Sequence, residues 1–388
     1  MDVGSYDFLR QERVIFGKPA AQAVAEEAHR LAVGRLFVVC ANSLSRKTDA
    51  IEAIGEALGH HYVGRFDKCV EHTPRESVIA AADAARHADP DLIVTIGGGT
   101  AIDTAKVMLI CLAQGVRTPE EMDDLHVSID ADGAPHIPVI APSPIRQIIV
   151  PTTLSGAEFS NLGGCTDSRR KVKDAYTAPD ICGQSVILDP EITRHTPEWL
   201  WLSTGIRAID HAVEAVCSSA AQPFTDALAL HALRLFATAL RRNHHSPDDL
   251  AARLDSQQAV WMAASSINRV PYGASHGIGH ALGAMAGVSH GHTSCVLLPA
   301  VLRFNESVNG ERQKLVAEAL DRPNMEAADA VAELIADLEL PGRMQDLQVD
   351  RGLFGDIART AMNNLFVRQN PKPIRDAGEI VGILESAW

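Results

Sequence analysis

Four histidines stand at spacings that would let their imidazoles act together. His280 follows His276 by four positions in YGASHGIGHALG, so an α-helix would place both rings on one face. His290 comes soon afterwards, and His211 lies upstream in STGIRAIDHAVEA. Gly277 stands where the HExxH motif has its glutamate, which excludes that kind of metalloprotease. Imidazole both ligates metals and carries protons near neutral pH, so a metal site, an acid–base site and a chance cluster remain open.

A glycine-rich turn is a second candidate site. In IGGGTAIDTAK, Gly97, Gly98 and Gly99 follow an apolar run and precede a helical pattern. Glycine lets a ligand approach the backbone closely, and the free N–H groups at a helix N-terminus favour an anion such as pyrophosphate. Thr100 and Asp103 have the spacing of a helix-capping pair. Because the GxGxxG fingerprint is absent, a cofactor loop and a plain strand-to-helix turn both remain open.

A polar loop, PTTLSGAE, follows the apolar run QIIVP. The hydroxyls of Thr152, Thr153 and Ser155 could cradle a phosphate or a nicotinamide at the carboxyl end of a strand. Loops of hydroxyl residues and glycine are also common turns, so this signal is weaker than the glycine turn.

Alternating apolar runs and helical patterns must position these residues. The predicted buried strands are Arg35–Cys40, Asp91–Ile96, Gln147–Pro151 and Ser185–Leu188. Val78–Ala88 predicts a helix between two of them, and such alternation is typical of a parallel sheet. Asp124–Ser143, rich in Asp, Gly and Pro, predicts a loop or a hairpin.

The pattern changes after Asp189 and Pro190, where Ala- and Leu-rich helical stretches such as Thr225–Arg242 and Leu250–Ser266 replace the β-branched runs. We therefore predict an α/β domain over residues 1–190 and an all-helical domain over residues 191–388.

Composition limits the kind of protein. A chain of 388 residues with 46% hydrophobic residues can bury the cores of two domains. A net charge of −14 argues against nucleic-acid and anionic-membrane partners. Seven cysteines without CxxC spacing predict reduced thiols. The first residues lack the apolar run of a signal peptide, and no long apolar stretch follows, so we expect a soluble cytoplasmic protein.

Taken in order, the motifs resemble those of the iron-containing (group III) alcohol dehydrogenase family, and most closely its maleylacetate-reductase-like branch. IGGGTAIDTAK is similar to GGGSxIDxAK, PTTLSGAE to PTTxxGSE, and TGIRAIDHAVEA to TGMDALTHAIEA. GASHGIGHALGAMAGVSHGHTSCVLLPAVLRFN is similar to HxxxH…HG…LLPhV…N. The resemblance covers nearly the whole chain. It implies a dehydroquinate synthase-like fold, with a dinucleotide-binding α/β domain and an all-α catalytic domain, in a homodimer.

The resemblance also implies a nicotinamide cofactor, NADH or NADPH. The residues implied to hold it are Gly97, Gly98, Gly99, Thr100, Asp103, Thr152, Thr153, Ser155 and Lys173, with Lys171 as an alternative to the last. Members specific for NAD carry an acid just after the strand that corresponds to RLFVV. Ala41 takes that position here, so we expect NADPH to be accepted.

Metal-dependent members hold Fe²⁺ or Zn²⁺ through one aspartate and three histidines, and these positions fall on Arg207, His211, His276 and His290. Arg207 takes the place of the aspartate, and a guanidinium donates hydrogen bonds but cannot ligate a cation. Asp210 lies about 100° around the helix from His211 and is placed to pair with Arg207 instead. Maleylacetate reductases share both the missing aspartate and the eight-residue PTT loop. We therefore expect no metal; any ion bound would use the three histidines.

The leading hypothesis is a metal-independent NAD(P)H-dependent reductase of a carboxylate-bearing ketone. Its predicted catalytic residues are Arg207, His211, His276, His280 and His290, of which the last three would return a proton to the substrate. A metal-dependent alcohol dehydrogenase that uses the three histidines is the alternative, and an inactive nucleotide-binding scaffold is the second alternative. If Arg207 is buried, an acidic group must meet it: Asp210, another protein carboxylate or the substrate.

Overall fold

The computed structural model describes residues 5–129 and 135–388. The chain forms two compact units, Met1–Thr153 with Ala157–His195, and Leu154–Gly156 with Thr196–Trp388. The second unit thus begins close to the boundary expected after residue 190. It also includes three residues of the PTT loop, which the sequence had placed in the first domain.

In the residues that the structure describes, the first unit contains ten short strands. They are β1 (Arg13–Phe16), β2 (Leu36–Cys40), β3 (Tyr62–Phe66), β4 (Leu92–Gly97), β5 (Ser128–Ile129), β6 (Pro135–His136), β7 (Arg146–Pro151), β8 (Leu162–Asp167), β9 (Val172–Thr177) and β10 (Gly183–Leu188). Six of them form one sheet in the order β1-β10-β7-β4-β2-β3, with every neighbouring pair parallel. The predicted parallel sheet is therefore confirmed.

Helices cover this sheet on both faces. They are α1 (Ala20–Arg30), α2 (Asn42–Lys47), α3 (Ala50–Leu58), α4 (Arg75–Ala88) and α5 (Gly99–Gln114). Phe37 and Val39 of β2 pack in the same core as α4 and α5, whereas Leu36 and Val38 pack with α1 and α3. Because both faces are covered, the central strands consist of consecutive apolar residues rather than alternating ones.

The predicted loop Asp124–Ser143 is partly regular. A 3₁₀-helix spans Glu120–Leu125, and β5 pairs with β6 as an antiparallel hairpin, while residues 130–134 lie outside the described residues. A second hairpin, β8–β9, was not predicted. The buried Arg75 at the start of α4 holds this hairpin, since its guanidinium donates to Asp174 of β9 at 2.8 Å.

The second unit is all-helical in the residues described. Its helices are α6 (Glu198–Val216), α7 (Pro223–His245), α8 (Leu250–Ala264), α9 (Ala274–Ala286), α10 (His290–Ala319), α11 (Ala327–Asp337), α12 (Phe354–Ala361), α13 (Leu365–Arg368) and α14 (Ala377–Ser386). Every residue of α6 from Trp201 to Val216 is buried, which makes it the central helix of this unit. None of the described helices has the length and apolar character needed to cross a membrane. No disulfide joins any of the seven cysteines, all of which lie in the described residues.

Candidate active site

The glycine turn and the start of the PTT loop, Thr152 and Thr153, lie side by side in the first unit. The backbone N–H of Thr152 donates to the carbonyl of Gly97 at 3.1 Å. A Cβ atom on Gly98 would lie 2.8 Å from Cγ2 of Thr153, closer than two such carbons approach. Gly97 has a φ of +152°, where side chains are strained. Both glycines are therefore required by the local geometry.

The N-terminus of α5 is not capped by a side chain. The helix begins at Gly99 after Gly98, whose backbone is extended, and no side chain among the described residues accepts a hydrogen bond there. The capping pair predicted for Thr100 and Asp103 is therefore wrong, because Thr100 already lies inside the first turn. Uncapped N–H groups beside two glycines fit a pyrophosphate. These residues therefore fit the dinucleotide that the family motif implies.

Asp103 is paired with a lysine rather than with the helix end. Its Oδ2 lies 3.7 Å from Nζ of Lys173. Burial raises the pKa of Asp103, and the nearby ammonium groups of Lys173 and Lys106 partly offset that effect. A Cβ on Gly164 would collide with Cε of Lys173, so the glycine lets the lysine lie across β8. Of the two lysines that the sequence left open, Lys173 is the one that contacts Asp103.

In the second unit, His211 of α6 and His276 of α9 are in direct contact. Nε2 of His276 lies 2.8 Å from Nδ1 of His211, and Nδ1 of His276 lies 2.7 Å from Oε2 of Glu214. Nε2 of His211 lies 3.3 Å from the carbonyl oxygen of Ser155. Both rings are buried and each has a partner at both nitrogens. The sequence did not single out Glu214, although its spacing from His211 places the two on one side of α6.

Arg207 is buried on α6 and meets an acid of the same helix. Its Nη1 donates to Oγ of Ser294 at 3.1 Å and lies 3.7 Å from Oδ2 of Asp210. The same Oδ2 accepts hydrogen bonds from the hydroxyls of Ser294 at 2.6 Å and Ser275 at 2.7 Å. Of the acidic partners considered from the sequence, Asp210 is therefore the one that the fold supplies.

Burial favours the neutral form of each ionisable group in this cluster, and it shifts each pKa in the corresponding direction. The cluster consists of Arg207, Asp210, His211, Glu214 and His276. Desolvation lowers the pKa of His276 well below its usual value, and the positive charge of Arg207 adds to this effect. The pKa of His211 is lowered in the same way. Desolvation raises the pKa values of Asp210 and Glu214. A buried neutral histidine with a hydrogen-bond partner at each ring nitrogen is a poor proton donor. This environment counts against the proton-return role expected for His276.

His280 and His290 form a separate, less buried pair. Their ring centroids are 6.0 Å apart, and both side chains are half-buried. The side-chain amide of Asn364 lies 3.3 Å from Nδ1 of His280, and the Phe366 ring lies 5.7 Å from the same imidazole. Neither Asn364 nor Phe366 was predicted from the sequence as a site residue. An asparagine just before the short apolar run LFV is a helix N-cap signal that could have drawn attention to them.

Comparisons with known proteins agree with this architecture. Residues 11–190 match the family described as iron-containing alcohol dehydrogenase, and residues 201–388 match its C-terminal domain. The chain is 32% identical to dehydrogenase FUM7 of Gibberella moniliformis, over 96% of this chain and 95% of that protein. The chain belongs to the iron-containing alcohol dehydrogenase family. It is accordingly an NAD(P)-dependent oxidoreductase that acts on alcohol or carbonyl groups.

Within the family, the chain resembles maleylacetate reductases. It is 29% identical to maleylacetate reductase 1 of Rhodococcus opacus, over 97% of this chain and 94% of that protein. The crystal structure of maleylacetate reductase from Agrobacterium tumefaciens superposes with a TM-score of 0.82 at 26% identity, covering 100% of this chain and 99% of that one. The resemblance inferred from the motifs is thereby confirmed, as is the predicted fold class.

The family's name raises the question of whether these residues fit a metal ion. In the described part of the chain, the group with three ligand atoms within 4.8 Å of one another is Asp210, Glu214 and His276, which does not include His290. Glu214 already accepts hydrogen bonds from the backbone N–H groups of Gly273 and Ser275 at 3.0 Å each.

One contact within the group is itself a short hydrogen bond, between Glu214 and His276. The distance of 2.7 Å between Glu214 and His276 leaves no space for an ion between those two atoms. The guanidinium of Arg207, 3.7 Å from Asp210, would repel a cation there. As arranged, these residues do not fit a divalent metal.

Proposed function

We propose that this oxidoreductase reduces the carbonyl group of a carboxylate-bearing ketone and needs no metal ion. The observation that carries the proposal is the environment of Arg207. Its guanidinium is buried at the position of the family's ligand aspartate, and among the described residues its hydrogen bond and ion pair both involve Nη1. The remaining N–H groups of a planar guanidinium suit a carboxylate, which accepts two parallel hydrogen bonds.

The chemistry divides between cofactor and protein. When bound, NADH or NADPH supplies the hydride that forms the new C–H bond, and a proton from water completes the alcohol. The protein must place hydrogen-bond donors where negative charge develops on the carbonyl oxygen. We assign that task to the half-buried His280 and His290, and we assign the buried His211 and His276 to holding the cluster in position.

The decisive experiment removes the guanidinium and compares a keto acid with its methyl esters. We expect Arg207→Ala to lower kcat/KM for maleylacetate by about 30- to 150-fold, equivalent to about 2–3 kcal/mol for charge-assisted hydrogen bonds. The methyl esters of the same compound should change far less, because they present no carboxylate.

Arg253→Ala is the matched control. Arg253 is also a buried arginine of the helical unit, but its guanidinium lies 4.8 Å over the ring of Trp201. This variant should lower the melting temperature without distinguishing acid from ester. Equal losses of kcat/KM on acid and ester in Arg207→Ala would show that Arg207 serves the fold, and would remove the support for a keto-acid substrate.

A metal-dependent alcohol dehydrogenase is the second candidate, and the proximity of the ligand atoms of Asp210, Glu214 and His276 is the observation that favours it. The two candidates differ in metal content. Protein purified without added metal should contain little iron or zinc, and a chelator should leave its activity unchanged. Stoichiometric metal that is lost together with activity would favour the second candidate.

Cofactor preference and assembly complete the proposal. Ala41 lies between β2 and α2, and the neighbouring acid Asp67 accepts a hydrogen bond from Ser45 at 2.8 Å and lies 3.6 Å from Arg65. These partners temper the repulsion that Asp67 would exert on a 2′-phosphate, which supports use of NADPH as well as NADH. The ratio of kcat/KM for the two cofactors tests this.

We also propose a cytoplasmic homodimer, which light scattering and cell fractionation would check.

A further inference from the structure

The short helix α13 packs very closely against the histidine-bearing helix α9. The contact is made at Gly277, the residue directly after His276. A Cβ atom there would lie 2.6 Å from Cγ2 of Val367 and 3.3 Å from Oδ1 of Asn364. Any larger residue at position 277 would therefore push α13 away. The absence of a side chain lets Asn364 reach the imidazole of His280, one turn further along α9.

The orientation of the Asn364 amide is fixed by its own helix. As the N-cap of α13, Asn364 accepts the backbone N–H of Phe366 at 3.0 Å, and only the amide oxygen can do this. The amide nitrogen must therefore be the atom that faces Nδ1 of His280, at 3.3 Å. An amide nitrogen donates and does not accept, so Nδ1 of His280 must accept.

This contact determines the tautomer of His280. A neutral imidazole carries one hydrogen, and a ring whose Nδ1 accepts must carry it on Nε2. We infer that Asn364 is a positioning residue that holds His280 in the form whose Nε2–H donates to the carbonyl oxygen of the substrate. This inference rests on the reductase function proposed above, and it goes further by naming the residue that makes a neutral histidine a permanent donor.

Reduction of the carbonyl requires no charge on His280. Hydride addition forms the C–H bond and moves the π electrons of the carbonyl onto oxygen, where the Nε2–H bond stabilises them. Water then protonates the alkoxide, so His280 keeps its proton throughout. Neutral imidazole can act as such an electrophile when its surroundings disfavour the imidazolium. A donor held against Nδ1 disfavours the imidazolium in this way, because that form would need a hydrogen on the same nitrogen.

The nearly isosteric variant Asn364→Asp tests the inference. Aspartate keeps the N-cap of α13 but cannot donate, so Nδ1 of His280 would carry the hydrogen and Nε2 would become an acceptor. At pH 9, where we expect a neutral ring, kcat/KM for reduction should fall about 100-fold, the typical loss for one donor at a developing oxyanion. At pH 6, where the new carboxylate favours the imidazolium, both nitrogens carry hydrogen and most of the rate should return.

Other titratable groups near His280 also contribute to the pH dependence of kcat/KM. His290 of α10 faces His280 directly, and His211 and His276 lie in the adjoining cluster. All of them are present in both proteins, so the comparison is between the pH profiles of wild type and variant. Asp376→Asn, which exchanges acid and amide at the N-cap of α14, should leave the profile unchanged.

A spectroscopic measurement decides the tautomer without any substrate. ¹⁵N NMR of histidine-labelled protein, with the His280 signal assigned from a His280→Gln variant, should show the hydrogen on Nε2 in the wild type and on Nδ1 in Asn364→Asp at pH 9. A hydrogen on Nδ1 in the wild type would overturn the inference. So would an equal loss of rate at both pH values. Because this signal does not depend on the substrate, it stands even if the Arg207 experiment contradicts the keto-acid function.

Discussion

At the scale of single residues, burial determines what the polar groups of α6 can do. Arg207, Asp210, His211 and Glu214 are all buried, and each has a partner within the helical unit. The family motif placed Arg207 at the aspartate position because the register of HAVEA is unambiguous. It could not identify the serines that hold Asp210, because Ser275 and Ser294 come from two other helices.

Glu158 offers a test of burial in the first unit. Its carboxyl is buried, Oε2 has no hydrogen-bond partner among the described residues, and desolvation raises its pKa from 4.5 to about 7. Between these two pH values the unfolded chain has lost the proton and the folded protein has kept it. Stability therefore falls as the pH rises through this window, by up to about 3 kcal/mol at about 1.4 kcal/mol per pH unit.

We expect Glu158→Gln to remove most of this dependence. Melting temperatures recorded at pH 5 and pH 8 should differ by several degrees less in the variant than in the wild type. Glu56→Gln, on the exposed side of α3, is the control and should follow the wild type. If the melting temperatures of all three proteins changed equally between pH 5 and pH 8, Glu158 would be ionised without cost in the folded state.

At the scale of elements, two glycines determine how closely neighbouring segments approach. Gly98 lets the glycine turn lie against Thr153, and Gly277 lets α13 lie against α9. Gly98 has a φ of −86°, which any residue can adopt, so an alanine there would act through space rather than through backbone strain. We expect Gly98→Ala to separate the two loops and to raise the Kd for NADPH at least tenfold, measured by fluorescence titration.

Gly55→Ala is the control for that experiment. Gly55 lies in helix α3 of the same unit, and a Cβ there would make an ordinary 3.8 Å contact with Tyr62 of β3. Alanine in the helix should stabilise the protein by about 0.5–1 kcal/mol and leave NADPH binding unchanged. An unchanged Kd in Gly98→Ala would separate the glycine turn from the cofactor site.

The sequence predicted the buried elements better than the exposed ones. Apolar runs indicated β2, β4, β7 and β10 to within about two residues, because central strands of a parallel sheet are buried on both faces. The edge strand β1 was not predicted although it contains the short apolar run Val14–Phe16, whereas the edge strand β3 and the glycine-containing β8 have no such run. The start of α5 was misjudged because side-chain spacing suggested a cap where glycine makes the turn. Asn364 was missed for a different reason, because its partner His280 is remote in sequence.

At the scale of the whole molecule, the change from β-branched to Ala- and Leu-rich segments indicated two domains near the place where the second unit begins. No periodicity could show that Leu154–Gly156 belongs to the helical unit. Those residues are held there by contacts remote in sequence. The N–H of Leu154 donates to Oγ1 of Thr204 at 3.1 Å, and a Cβ on Gly156 would lie 3.0 Å from Ala264.

This division has a consequence for recombination between relatives. A crossover placed between residues 195 and 196 would give the helical unit to one parent and leave three of its residues with the other. We expect a chimera with the helical unit of Rhodococcus opacus maleylacetate reductase 1 to melt several degrees higher, and to retain more activity, when positions 154–156 also come from that parent. Exchange of residues 45–47 instead should bring no such gain. If this holds, homologous genes in this family can exchange their second halves productively only when they already agree at this tripeptide, or when a second crossover carries it along.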